Sequence, residues 1–219
     1  MNLNIEDYKK AGKMAAEVRE FSRKIVKIDY SLLKATEQIE EQITRLGGKP
    51  AFPVDISINN IAAHYSATSN DTTLFKENDL VKVDLGVHIN GAIADTAVSI
   101  DLGNNNEMIK AAEDALNESM KLARPGVKLF EIGQAIQQVI QSYGYSPIRN
   151  LSGHGIEMFK VHTKPNIPNF NNNDRTELKE DQVIAIEPFA TNGAGIIIEG
   201  KQSEIYEIVN KKAIRNASA

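Results

Sequence analysis

The sequence predicts an α+β fold in which a helix-helix-sheet unit occurs twice, the copies related by a pseudo-two-fold axis around a central antiparallel sheet. Three observations lead there. Four stretches carry helical periodicity and fall into two pairs, each followed by short apolar, strand-like runs. The second helix of each pair echoes the other: "SLLKATEQIEEQITRLGGKP" (31–50) aligns with "KLFEIGQAIQQVIQSYGYSP" (128–147) at an offset of 97 residues. Leu32/Leu129, Ile39/Ile136, Ile43/Ile140, Gly47/Gly144 and Pro50/Pro147 coincide. A strand echoes as well: "KENDLVKVD" (76–84) aligns with "KEDQVIAIE" (179–187) at an offset of 103. The two echoes come in the same order, as a duplication requires. No low-complexity linker separates the halves, so one domain spanning 1–219 is expected, with halves at about 1–103 and 104–209.

The elements follow in order. Ile5, Tyr8, Ala11, Ala15, Val18, Phe21, Ile25 and Ile28 recur every three or four residues, which predicts a helix over 5–28 with Asn4 as its N-cap. A second helix starts at Ser31, puts Leu32, Leu33, Ile39, Ile43 and Leu46 on one stripe, and stops at Gly47-Gly48. "AFPVDISINNIAAHYSA" reads as short strands and loops, and "LVKVDLGVHINGAIADTAVSIDL" as a β-hairpin. Helices are expected over 104–123, before Pro125-Gly126, and over 128–145. Short strands are expected at "VIAIEPFA", "GIIIEG" and "SEIYEIV".

Composition narrows the function classes. At 219 residues, 42% hydrophobic and 25% charged, the chain is that of a globular protein. A net charge of −4 gives no reason to expect nucleic acid or an anionic membrane as partner. The absence of cysteine excludes disulfides, thiolate catalysis and Cys-ligated zinc. Neither a signal peptide nor a stretch approaching ~20 apolar residues is present, so a cytoplasmic protein is expected.

The hairpin carries the first chemical signal. Asn90-Gly91 favours a two-residue type I′ turn, which sets Ile89 opposite Ala92, Val87 opposite Ala94 and Gly86 opposite Asp95. Asp84 and Asp95 are then diagonal neighbours on one face. Two carboxylates so placed repel unless a cation or shared proton intervenes. The strand echo sets Glu187 where Asp84 lies in the first half, so the pseudo-axis brings a third acid to the same place. His154, between Gly153 and Gly155 in "NLSGHGIE", is read as a ligand beside these acids. His64 and His162 are candidate proton donors or carbonyl polarisers, and His88, near the turn, is read as a surface residue. One nitrogen with several carboxylates suits Mn, Fe, Co or Zn, and the number of carboxylates suggests two ions ~3.5–4 Å apart that activate a water.

These residues stand in motifs with a family resemblance. "KPAFPVDISINNIAAHYSA", "VKVDLGVHINGAIADTAV", "NLSGHGIE", "VHTKPNIPN" and "AIEPFATNGAG" closely resemble the methionine aminopeptidases, with the archaeal type II branch the best match, across nearly the whole chain. The resemblance implies the pita-bread fold and a centre of two divalent ions, Co, Mn, Fe or Zn. It implies Asp84, Asp95, His154 and Glu187 as metal ligands, Asp95 bridging. It implies His64 and His162 as the histidines that hold and polarise the scissile amide, and Phe52 as lining for the methionine side chain. The reaction implied is removal of the initiator methionine from nascent chains whose second residue is small, by a protein that is a monomer when complete.

One departure is visible. The family has a fifth ligand, a C-terminal glutamate, which the repeat would place at Ile198; Glu199, Glu204 and Glu207 lack the family's surrounding motif. The resemblance therefore covers the first three quarters of a type II enzyme, and implies a missing C-terminal segment or a second chain that supplies the ligand. Weak or no activity is expected of this chain alone. Two alternatives remain open: a non-catalytic pita-bread binding protein, and a proline-specific peptidase of the same fold.

Overall fold

The computed structural model describes residues 4–201 together with 205, 206 and 209. The first half consists of α1 (Ile5–Ile25), α2 (Leu32–Arg45), β1 (Lys49–Pro50), β2 (Asp55–Ile58), β3 (Leu80–Ile89) and β4 (Ala92–Asp101). The second consists of α3 (Asn106–Leu122), α4 (Leu129–Ser142), β5 (Ser146–Pro147), β6 (Ser152–Glu157), β7 (Lys160–Pro168), β8 (Val183–Ala185) and β9 (Ala190–Thr191).

The duplication extends to individual hydrogen bonds. α2 and α4 are both 14 residues long and begin at Leu32 and Leu129. Ahead of them, Leu32 N donates to Thr73 O and Leu129 N to Thr176 O; Phe75 N donates to Tyr30 O and Leu178 N to Val127 O. Lys49 pairs with His88 in β1–β3, and Ser146 with Thr191 in β5–β9. Each of these pairs keeps the offsets of 97 and 103 that the sequence echoes show. The interactions that dock each second helix onto its strands are thus built the same way in both copies.

Every named strand pairing is antiparallel, but the strands divide into three sheets: β4–β3 with β1 and β2 along the other edge of β3, β7–β6–β8, and β5–β9. β8 stops at Ala185, and Pro188, three residues on, has no N–H to donate to a ladder. The register of β6 with β7 also shifts between His154 and Gly155.

The apolar faces close two cores. Val18 of α1, Leu32, Ile39 and Ile43 of α2, and Val81, Val83, Leu85 and Val87 of β3 form the first. Ala115 of α3, Leu129, Ile132, Ile136 and Ile140 of α4, and Ile167 of β7 form the second. A small third cluster, Ile93, Ile156 and Ala185, joins β4 to β6 and β8 where the halves meet. Odd-numbered β3 residues face the first core, so even-numbered ones, Asp84 among them, face the junction.

Several expectations are corrected. α1 ends at Ile25 rather than 28, because Val26 is extended at ψ 109°. Asn4 does not cap it. Its Nδ2 donates instead to Asp7 Oδ2 at 2.7 Å, an atom that also accepts from Asn90 Nδ2 at 3.1 Å, so the helix start is tied to the hairpin turn. "GIIIEG" is not a strand: the Asn150 side chain takes both Ile197 N and Ile197 O, at 2.8 Å each. "SEIYEIV" lies mostly outside the described residues. His88 is half-buried rather than on the surface; its Nδ1 accepts from Gly91 N at 3.3 Å, and its ring meets Phe159 edge-on.

Two predictions follow from this packing. Ile39, fully buried in the first core, should cost about 2–5 kcal/mol of unfolding free energy when changed to alanine, read from urea denaturation. His88 should titrate below 6.5 by NMR, because burial and the Lys49 ammonium disfavour its charged form. The unfolded chain then binds more protons just below that pH, so the His88 contribution to stability is complete above 6.5 and falls as pH drops through the folded value.

Candidate metal centre

The β3–β4 hairpin has the expected turn, with φ of 52° at Asn90 and 94° at Gly91. Its register sets Gly86 opposite Asp95 and Asp84 opposite Ala97. Both acids therefore point from one face into the junction between the halves. Phe52 joins them there. Its ring lies where a side chain at Gly86 would project, and Ala51 N donates to Gly86 O at 2.9 Å. An apolar ring thus rests against β3 at the residue paired with Asp95.

The second half brings its groups from β6 and the end of β8. His154 lies inside β6, paired with Asn166 on one side and Ala185 on the other. The flanking glycines have a steric reason: a Cβ at Gly153 would run into Ala185 O, and one at Gly155 into Lys164 O. With its neighbours reduced to backbone, the His154 ring reaches across the junction. Its Nδ1 stands 3.1 Å from Gly155 O, an arrangement that leaves Nε2 for the acids. Nε2 is 2.9 Å from Glu187 Oε1 and 3.6 Å from Asp95 Oδ2. Asp95, His154 and Glu187 each offer one ligand atom within 4.8 Å of the others.

Asp84 completes the group. Its Oδ1 is shielded from solvent and has no hydrogen-bond donor. Burial, and then the charges of Asp95, Glu187 and Asp55, push its carboxyl well above the ordinary range. Burial and Glu187 push Asp95 up to about 7, against the pull of His154 and Asp84. Burial opposes charge on His154, but the Glu187 carboxylate, the Gly155 carbonyl and Asp95 outweigh it and raise the imidazole. These shifts share one origin, acids gathered in a shielded cleft with too little positive charge. A divalent cation fits: an orphaned carboxylate oxygen, two further carboxylates and an imidazole nitrogen form a donor set for a borderline metal.

Two more histidines edge the cleft. The His162 ring, from β7, stands 4.4 Å from that of His154, centroid to centroid, and 6.2 Å from that of His64. Burial, then the charges of His154 and His64, hold His162 below its ordinary value, so it is neutral near neutral pH. His64 sits in the 59–73 loop at a φ of 61°, a conformation uncommon outside glycine. The structure thus brings Asp84, Asp95, His154, Glu187, His64, His162 and Phe52 to one cleft. It adds nothing at the position that mirrors Asp95: Ile198 is 89% exposed, Glu199 is exposed beside it, and Glu204 and Glu207 lie outside the described residues.

One residue escaped the sequence reading. Asp55, 4% exposed, stands directly opposite Asp84 in the β2–β3 ladder. The signal was present in "VDISI", an acid inside an apolar strand run like the one at Asp84.

The chain's likeness to known proteins agrees with this geometry. The profile of metallopeptidase family M24 matches residues 6–215. The methionine aminopeptidase of Methanocaldococcus jannaschii is 45% identical over 217 residues, covering 97% of this chain and 74% of its own. That of Pyrococcus horikoshii is 46% identical over 219 residues, covering 99% and 74%. Among solved structures, methionine aminopeptidase from Thermotoga maritima superposes with a TM-score of 0.85 at 27% identity, covering 94% of this chain and 86% of its own. Prolidase from Pyrococcus furiosus gives 0.74 at 26% identity, covering 86% and 56%. A protein with this duplicated pita-bread fold and this cluster of carboxylates and imidazole belongs to metallopeptidase family M24, among the methionine aminopeptidases.

Proposed function

We propose that this chain is a divalent-metal-dependent aminopeptidase that removes the initiator methionine from polypeptides, using two metal ions held by Asp84, Asp95, His154 and Glu187. The observation that carries the reading is the convergence of three carboxylates and one imidazole from both halves of the fold, with His154 Nε2 2.9 Å from Glu187 Oε1. Bound there, Co, Mn, Fe or Zn would supply Lewis acidity and lower the pKa of a water towards ~7.

The protein's own side chains have separate tasks. Asp95 lies between Asp84 of its own hairpin and the His154–Glu187 pair, and would hold metal together with both. His162, neutral through burial, holds the scissile amide by donating a ring N–H to its carbonyl oxygen, and His64 closes on the same amide from the facing loop. Phe52 gives an apolar wall beside Asp95 against which the methionine side chain packs. The carboxylates also offer charge complementarity to a free α-amine, which selects peptide N-termini.

Two experiments check this reading. Co or Mn at 100 times its Kd should stabilise the protein by ~2.7 kcal/mol, seen as a raised Tm, and Asp95→Ala should abolish the increase. Incubation of the full-length protein with Met-Ala-Ser and Co, Mn or Fe should release methionine. His162→Ala should lower kcat/KM by about 10²-fold while metal content is retained. Absence of methionine release from protein shown to hold metal would sink the assignment.

A further inference from the structure

Asp55 is a buried acid that the proposed chemistry leaves without a task. It lies in β2, opposite Asp84, with 4% of its surface exposed. A buried carboxylate with no function beyond packing is costly, and apolar residues fill such strand positions more cheaply. Its Oδ1 accepts a hydrogen bond from the Ser66 hydroxyl. Ser66 belongs to the 59–73 loop and also forms a backbone bridge with Asp55, while Ile56 N donates to Tyr65 O at 2.8 Å. The loop is therefore fastened to β2 at two consecutive residues, and the residue just before them is His64.

His64 depends on those fastenings. Its φ of 61° is a conformation that persists only where the surroundings impose it. On its other side the last backbone anchor is Ile61 N, which donates to Ile58 O at 3.1 Å. Among the described residues, no hydrogen bond holds Ala62, Ala63 or His64 itself. Tyr65 Oη donates to Asp71 Oδ2 at 2.8 Å and braces the far limb of the loop, while the near limb is held by the Ile56 N–Tyr65 O bond and the Asp55–Ser66 side-chain contact. Burial pushes the Asp55 carboxyl up, while the Ser66 hydroxyl and His64 draw it down, which places the imidazole within electrostatic reach of the acid.

We propose that Asp55 is a positioning residue for methionine removal: through the Ser66 hydroxyl it holds the loop that presents His64 to the peptide amide, facing His162. The inference rests on the reading of His64 as a substrate-facing group. Asp55 touches neither the peptide nor the reacting atoms, and acts by limiting where the His64 ring can go.

The test uses the full-length protein loaded with Co or Mn and the Met-Ala-Ser peptide, in Ser66→Ala, Asp55→Asn, Asp55→Ala, His64→Ala and the Asp55→Ala/His64→Ala double variant. Ser66→Ala and Asp55→Ala should each lower kcat by about tenfold or more with KM little changed, as misplacement of an orienting group does. Asp55→Asn should retain activity within about threefold, because its amide oxygen still accepts the Ser66 hydroxyl. In the His64→Ala background, Asp55→Ala should cost less than about twofold, since the two act as one unit. A readout free of metal accompanies these: the His64 ring resonance, identified by its loss in His64→Ala, should move in Ser66→Ala and Asp55→Ala but not in Asp55→Asn.

Wild-type kcat in both Ser66→Ala and Asp55→Ala overturns the inference. So does a loss that adds in full to that of His64→Ala, or one that follows metal content. If Asp55→Ala does not fold, Ser66→Ala, which deletes only a hydroxyl, decides the matter. Full activity in His64→Ala would overturn instead the reading of His64 as substrate-facing. Impaired His64→Ala beside intact Ser66→Ala and Asp55→Ala would leave that reading standing and remove Asp55 from it.

Discussion

The centre of this molecule is organised by like-charge repulsion in a shielded cleft. Asp84, Asp95 and Glu187 face one another across the junction of the two halves, and Asp55 stands one strand away. Two unit charges ~4 Å apart at an effective dielectric of ~20 repel by about 4 kcal/mol, the scale of the cost of gathering ionised acids in such a place. The His154 imidazole offsets part of that by sitting against Glu187 and Asp95. The rest appears as carboxyls that resist ionisation, Asp84 most of all. The fold therefore holds a polar cluster that stays ionised only with added positive charge, which is the physical content of membership in a metallopeptidase family.

The duplicated architecture is what makes such a cluster affordable in structural terms. Each half builds its own apolar core on one face of its strands and leaves the opposite face free. A small apolar cluster, Ile93, Ile156 and Ala185, lies where the halves meet, and the polar groups collect beside it. Glycines keep the approach close: Gly86 leaves room for the Phe52 ring, and Gly153 and Gly155 let β6 press against its neighbours so that His154 spans the gap. Asp84, Asp95 and His154 are thus carried on strands, with Glu187 two residues past β8, and a hairpin of fixed register sets the diagonal between Asp84 and Asp95. The histidines at the mouth are held differently, His162 on β7 and His64 on a loop at positive φ.

The sequence alone exposed much of this because the signals are local. Asn90-Gly91 dictates a type I′ turn, and the turn dictates which hairpin residues share a face. Helical periodicity and the two echoes carried the duplication, since a repeated packing problem is solved with a repeated apolar pattern. Local rules also misled in identifiable places. Asn4 has the chemistry of an N-cap, yet its amide bonds Asp7, because Asp7 anchors the hairpin turn. "GIIIEG" has the composition of a strand, yet Asn150 takes the backbone groups that a ladder would use. In both cases a long-range hydrogen bond outweighed a propensity worth about 1 kcal/mol or less.

The sequence by itself determined that Asp84 and Asp95 lie in strands and share a face, and that a third carboxylate, Glu187, occupies the repeated position in the other half. These follow from the period of two along a strand and from a fixed turn, neither of which needs a partner element. Only the tertiary structure decided that Glu187 and Asp95 both approach His154 Nε2, that His162 stands beside it, and that Asp55 lies buried opposite Asp84 with a hydroxyl from the His64 loop. Distances across the junction depend on how two separately built cores pack together, and that packing is set by the whole apolar surface of both halves rather than by any stretch of chain.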